Sequence, residues 1–175
     1  MKLFILACLI SILTAEKEIK SKKENCSNEW VLLQKNTCFE AKGDNPAIIP
    51  VKIKGWLSEI KLVHVSGVLK CWQHSSGSKF GCYDGGNDLY VFITDNKRKV
   101  IFPSTNQPLT YGPRDYKLPG VTANDNEVIF SKLEYPVPYR REEQYIKVWN
   151  GEDLFGFTEH DNSGKVCVDA YGMFL

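Results

Sequence analysis

Short apolar runs, cut apart by glycine, proline and clusters of charge, make up most of the chain, and where they alternate with polar residues the period is two. In "WLSEIKLVHVSGVLKC" (56–71), Ile60, Leu62 and His64 share one parity while Lys61, Val63 and Val65 share the other. Trp56, Ile60 and Val63 would also fit a helical stripe. The β-branched Val63, Val65 and Val68, and a glycine at 67 that would weaken a helix interior, favour a strand. "DLYVFIT" (88–94) is nearly continuous apolar chain, the pattern of a strand buried on both sides or in a sandwich core. The charged "DNKRK" then turns the chain and "VIFP" returns as its hairpin partner.

"EWVLLQ" (29–34) is a short apolar strand expected to end at Lys35–Asn36. "NEVIFSKLEY" (126–135) is another, broken by "PVPY" because proline cannot donate to a central ladder. "EEQYIKVWNG" places Ile146 and Val148 opposite Tyr145, Lys147 and Trp149. "KVCVDAYGMF" places Val166, Val168, Ala170 and Phe174 opposite Cys167, Asp169, Tyr171 and Met173. Ahead of the last three, "STNQPLTYGPRDYKLPG" (104–120) holds three prolines and two glycines and reads as loop or irregular edge. No segment keeps a helical period beyond two turns, and no internal repeat appears. Seven or eight short strands with Gly/Pro-rich turns predict an all-β, single-domain β-sandwich of jelly-roll type, ahead of a barrel. An immunoglobulin sandwich fits less well, because the Cys–Trp–Cys spacing is missing.

The N-terminus changes the chemical setting. "MKLFILACLISILTAEKE" has one lysine, an apolar stretch from Leu3 to Leu13 and then Thr14–Ala15 before charge begins. This is the pattern of a secretory signal peptide over residues 1–15, too short to span a bilayer, and it predicts a secreted, extracellular protein with no transmembrane segment. Residues 16–24, "EKEIKSKKE", read as a charged flexible tail, followed by the β-sandwich domain over 25–175. Asn25 in "NCS" is a glycosylation acceptor triplet. With Lys2 removed, 21 basic residues (22 less one) face 21 acidic ones, a balance that argues against a nucleic-acid partner.

Of six cysteines, Cys8 leaves with the signal. In an oxidising compartment the rest are expected to bridge. Spacing suggests two local disulfides, Cys26 with Cys38 and Cys71 with Cys82, the latter closing "WQHSSGSKFG". Cys167 is then left over. Its flanks, Val166 and Val168, suit a buried thiol, and the competing reading is half of an intermolecular bridge that makes a disulfide-linked dimer.

Two patches carry candidate chemistry. "CYDGGNDLY" sets Asp84, Asn87 and Asp88 around two glycines, next to Trp72, His74 and Tyr83 on the disulfide-pinned loop. Aromatic faces for sugar C–H surfaces, flanked by side-chain oxygens for hydroxyls, are what a carbohydrate site requires. Turn chemistry alone accounts for the same residue types. The second patch, "NGEDLFGFTEHDNSG", offers Glu159, Asp161 and Asn162 as oxygen ligands for calcium, although the EF-hand spacing is absent. "FGFTE" and "KVCVDAYG" read as hairpin arms, which would keep Glu152 and Asp153 away from Glu159 and Asp161 unless the intervening segment is a compact loop; Gly156 permits one. No catalytic signature appears around the three histidines. The reading is a secreted binding module for a glycan or a glycoprotein surface, with calcium as a candidate helper. The alternative is a structural component of an extracellular matrix or secretion assembling through Cys167, with a secreted hydrolase behind both.

Overall fold

The computed structural model describes residues 29–83, 86–103, 114–131, 136–139 and 144–175. The signal segment, the charged tail, Asn25, Cys26 and Asp84 lie outside them. Nine strands are seen: β1 (Val31–Glu40), β2 (Ala47–Val51), β3 (Gly55–Lys70), β4 (Val91–Thr94), β5 (Val100–Phe102), β6 (Glu127–Ser131), β7 (Val137–Tyr139), β8 (Gln144–Asn150) and β9 (Ser163–Phe174). One short helix, α1 (Gly151–Phe155), and a 3₁₀ turn (Glu159–Asp161) link the last two.

The strands build two antiparallel sheets. One runs β1-β9-β3-β6, with β7 also on β3; the other runs β2-β8-β4-β5. The chain crosses from one sheet to the other at every connection but β4–β5 and β6–β7, so each sheet holds strands distant in sequence, the winding of a jelly roll. Its spine is the β3–β9 pair, in register from Leu57 opposite Phe174 to Lys70 opposite Ser163.

The core forms where the inner faces meet: Leu57, Ile60 and Leu62 of β3, Val166, Val168 and Ala170 of β9, Ile49 of β2, Val91 and Ile93 of β4, and Ile146 and Val148 of β8 are all fully buried. In β3 the buried set changes parity twice, from Leu57 to Ile60 and from Leu62 to Leu69. The register shifts between Leu57 and Glu59 and between His64 and Ser66 account for this, since an extra residue in one strand moves every later side chain to the opposite face.

Several expectations need correction. The first strand does not end at Lys35–Asn36. Asn36 takes φ 44, its N–H donates to Asp169 Oδ1 at 2.8 Å, and the strand continues through an irregularity to Glu40. "PVPY" does not simply break the strand before it: Val137–Tyr139 is β7, and Pro138 is tolerated there because the strand pairs only with the start of β3. β2, "AIIPV", was not recognised, its proline and its five-residue length hiding it. "FGFTE" is not a hairpin arm; this stretch follows α1 and leads into the 3₁₀ turn.

The cysteines are corrected as well. Cys71–Cys82 bridges locally as expected. Cys38, however, bridges Cys167, with Cα atoms 4.0 Å apart across 129 positions of sequence. The two residues are direct partners in the β1–β9 register, a proximity created by sheet order that no local spacing reveals. Cys167 is therefore neither a free thiol nor half of an intermolecular bridge, and Cys38 is not available to Cys26.

Gly67 sits where β3 lies against β9, at φ +82, and a Cβ there would run into the carbonyl of Lys165. Gly67→Ala should lower the urea midpoint without changing the slope, a stability loss of at least the roughly 1–3 kcal/mol that left-handed backbone costs a non-glycine residue. An unchanged midpoint would mean that the strands separate at this point at little cost.

Candidate functional site

The site is organised by the segment that follows β8. Asn150 caps α1: its side chain accepts from the Glu152 N–H at 3.1 Å. The Asn150 amide nitrogen donates to the Ala41 carbonyl at 3.1 Å, and Asn162 at the far end of the segment donates to that same carbonyl at 3.1 Å. One buried oxygen thus gathers both ends of 150–162. Gly156, at φ 63, supplies the left-handed residue that ends the helix. The segment is a compact loop, and Glu152, Asp153, Glu159 and Asp161 converge on one end of the sandwich.

Arg114 meets them there. Its Nη1 donates to Glu152 Oε1 at 3.0 Å and to Thr158 Oγ1 at 3.4 Å, and its Nε lies 3.6 Å from Asp115 Oδ2. The guanidinium stands 5.1 Å from the ring centre of Phe157. Glu152 is 1% exposed, and burial pushes its carboxyl upward against the opposing pull of Asn162, Arg114 and Thr158.

Tyr83 completes the group. Its phenol is raised by burial and by the nearby charge of Glu152, with Arg114 acting the other way. Its ring packs edge-on to Tyr90 at 5.9 Å, and Tyr90 is bonded in turn to Asp115. Two exposed aromatic rings, Tyr83 at 39% and Phe157 at 43% exposure, therefore stand beside a largely buried Arg114–Glu152 pair.

Structure brings some of the sequence-derived residues together and separates others. Trp72 and Tyr83 each follow a cysteine of the Cys71–Cys82 bridge, so the two exposed rings leave the same point of the fold. His74 packs edge-on to Trp72 at 5.1 Å, and its Nε2 lies 3.0 Å from the Gln73 amide. Asn87 is exposed. Asp88 pairs with Lys117 at 3.7 Å, on the side of the loop where residues 117–122 pass. Arg114, Asp115, Thr158 and Phe157 were not singled out from sequence. Arg114 and Asp115 carry no motif and stand in the proline-rich stretch, so pairing with Glu152 appears only once the chain is folded.

For the calcium candidates, Asp161 is exposed, and Glu159 Oε2 accepts from the Gly43 N–H at 3.4 Å. Asn162 is fully buried, with its nitrogen committed to Ala41. Among the described residues, no group of three or more His, Cys, Asp or Glu is placed to hold a metal ion.

Asp153 is a separate electrostatic feature. It is 3% exposed, accepts from the Asp44 N–H at 2.8 Å and faces Glu159; burial first, then the Glu159 carboxyl, push its pKa up to about 6. A raised carboxylate pKa means the folded protein holds a proton that the unfolded chain has already lost. This contribution to stability is therefore full below the unfolded value near 3.8 and declines as pH rises through about 6. Asp153→Asn should flatten that decline between about pH 4 and 6, measured as melting temperature against pH. An unaltered profile would remove Asp153 from its origin.

No protein-family model matches the chain. No curated protein matches it either. Among solved structures, AJLec from the sea anemone Anthopleura japonica is similar at 32% sequence identity and a TM-score of 0.75, covering 86% of this chain and 100% of its own. That likeness spans both sheets and the whole length of the relative, and the chain belongs to the same family as this sea anemone lectin.

Proposed function

We propose that the protein is a secreted lectin that binds glycans, free or carried on glycoprotein surfaces, at the end of the sandwich where Tyr83, Phe157, Arg114 and Glu152 meet. The observation that carries this reading is the pair of exposed rings, Tyr83 and Phe157, beside a fixed, largely buried Arg–Glu pair. Sugar rings present C–H faces that stack on aromatics and hydroxyls that need planar, oriented partners. Thr158 and Asp161 stand at the same place, and Trp72 with His74 extends the aromatic surface from the other side of the disulfide. Family membership with AJLec supports a binding role over catalysis. Two disulfides support an oxidising, extracellular location.

Assembly through Cys167 is not carried forward, because that sulfur is bonded to Cys38. Calcium enters the proposal only as a helper at Glu159 and Asp161. It needs six to eight oxygens, so backbone carbonyls, water and glycan hydroxyls would have to supply most of the shell.

A glycan array probed with the protein from residue 16 onward, in calcium and in chelator, tests the reading. Binding to a defined set of glycans is expected, and Tyr83→Ala should weaken it about tenfold or more while leaving the melting temperature within a few degrees, as expected for an exposed ring lost from a contact. An empty array under both conditions, or full binding by Tyr83→Ala, would overturn it. Equal binding in calcium and in chelator would remove the metal from the proposal.

A further inference from the structure

Beside the Arg114 site lies a cleft that the proposed function does not use. It has a volume of about 500 Å³, and Asn87 shares its lining with the 117–122 segment, Leu118, Pro119 and Val121 included.

The cleft is preformed. Leu118 to Val121 is a closed turn: the Val121 N–H donates to the Leu118 carbonyl at 3.2 Å, and Gly120 takes φ +73 directly after Pro119, the pattern of a type II turn. Leu118 and Val121 are half-buried against the main core. The Thr122 N–H and hydroxyl are both committed to Asp125, at 3.0 and 2.6 Å. The chain around Asn87 is tied down by Ala123 N–H to Gly86 O at 3.3 Å and by the mutual bonds of Leu89 and Tyr116 at 2.8 and 3.1 Å. A ligand entering here orders little of the protein, which favours binding.

The lining is specific in kind. Leu118, Pro119 and Val121 make much of the lining aliphatic, and among the described residues it holds no aromatic ring, so it does not offer the flat stacking surface of the first site. The exposed carboxamide of Asn87, which both donates and accepts, shares that lining. A methyl next to an amide is the chemical complement of such a lining.

We infer that this cleft is a second subsite for an acetamido group, taking an N-acetylated sugar of the same glycan. Its methyl packs on Pro119 and Val121, and its amide exchanges hydrogen bonds with Asn87. The first site uses Tyr83 and Arg114, and the cleft uses Asn87 and the residues that follow Arg114 from Lys117 to Thr122. Four residues of extended chain, about 14 Å at most, separate Arg114 from Leu118, within reach of a short oligosaccharide. The inference rests on the glycan-binding reading for its biological ligand, but the cleft can be tested alone.

The test compares methyl N-acetylglucosaminide with methyl glucoside, and the corresponding galactosides, by NMR titration of the protein labelled at leucine and valine methyls. The acetylated sugars should shift the Leu118 and Val121 methyls and bind about tenfold tighter than their unacetylated partners, as one buried methyl and one hydrogen bond allow. Val121→Asp and Asn87→Ala, both on surface turns, should each abolish that preference, and Tyr83→Ala should leave it intact. Equal affinity for acetylated and plain sugars, absence of shifts at these methyls, or a preference that survives Val121→Asp would each overturn the cleft assignment. If the acetamido preference holds while Tyr83→Ala does not weaken glycan binding, the first site fails and the cleft stands.

Discussion

Replacing Cys38 and Cys167 together with alanine should lower the melting temperature by roughly 10–20 °C, the loss of about 5 kcal/mol spread over a domain of this size. The bridge closes 129 positions of sequence, joins the edge strand β1 to β9, and so ties nearly the whole chain into one loop. In the loop-entropy account, the unfolded chain loses far more freedom from that closure than from the 11-position Cys71–Cys82 bridge, worth about 3 kcal/mol on the same argument. The double substitution at Cys71 and Cys82 should therefore cost distinctly less in melting temperature, with its larger effect on glycan binding through Trp72 and Tyr83. Equal losses from the two pairs would show that unfolded-chain entropy does not govern their contribution. A covalent dimer on a non-reducing gel that depends on Cys167 would contradict the in-chain pairing outright.

Glu152→Ala should be the most damaging single substitution at the candidate site, costing about 3–5 kcal/mol and removing glycan binding. Its carboxylate and the Arg114 guanidinium are 2% and 15% exposed at the side chain, and deletion of Glu152 leaves a largely desolvated guanidinium without that charge-assisted bond. Asp115, at 3.6 Å from Arg114 Nε, moderates the loss without replacing the bond at Nη1. Glu152→Gln should fall between the two, since its amide oxygen still accepts from Arg114 while the burial of a charge that raises the native carboxyl is relieved. Chemical denaturation of the three proteins reads the stability term, and titration with an array-selected glycan reads the binding term. A stable Glu152→Ala that retains affinity would show that the pair neither holds the loop nor meets the ligand.

Parts of this arrangement were visible in the residues themselves. The parity of Ile60 and Leu62, the apolar run at 91–94 and the alternation at 146–149 and 166–170 follow from burying one face of a pleated strand, and each of these stretches is a strand in the fold. The local bridge at Cys71–Cys82 was visible for another local reason: cysteines only eleven positions apart, with glycine and serine between them, close easily. β2 and β7 were hidden because each is short and contains a proline, which an edge position tolerates and a central one does not. The stretch at 155–159 was misread because its apolar residues, Phe155 and Phe157, alternate like a strand. Both remain about 40% exposed, one packing on Phe92 and the other on Arg114.

What the chain determined by itself was local: the two-residue period that demands layered sheets, the turns that separate them, and a loop rich in aromatic and oxygen-bearing side chains. Which strands became neighbours was decided only by the winding of the sheets. That winding set β1 against β9 and so chose Cys38 for Cys167, and it carried Arg114 from an unremarkable loop to Glu152. The physical reason is one of range. Periodicity and turn propensity act over a few residues, whereas pairing in a jelly roll is settled by how all the apolar faces can be buried at once.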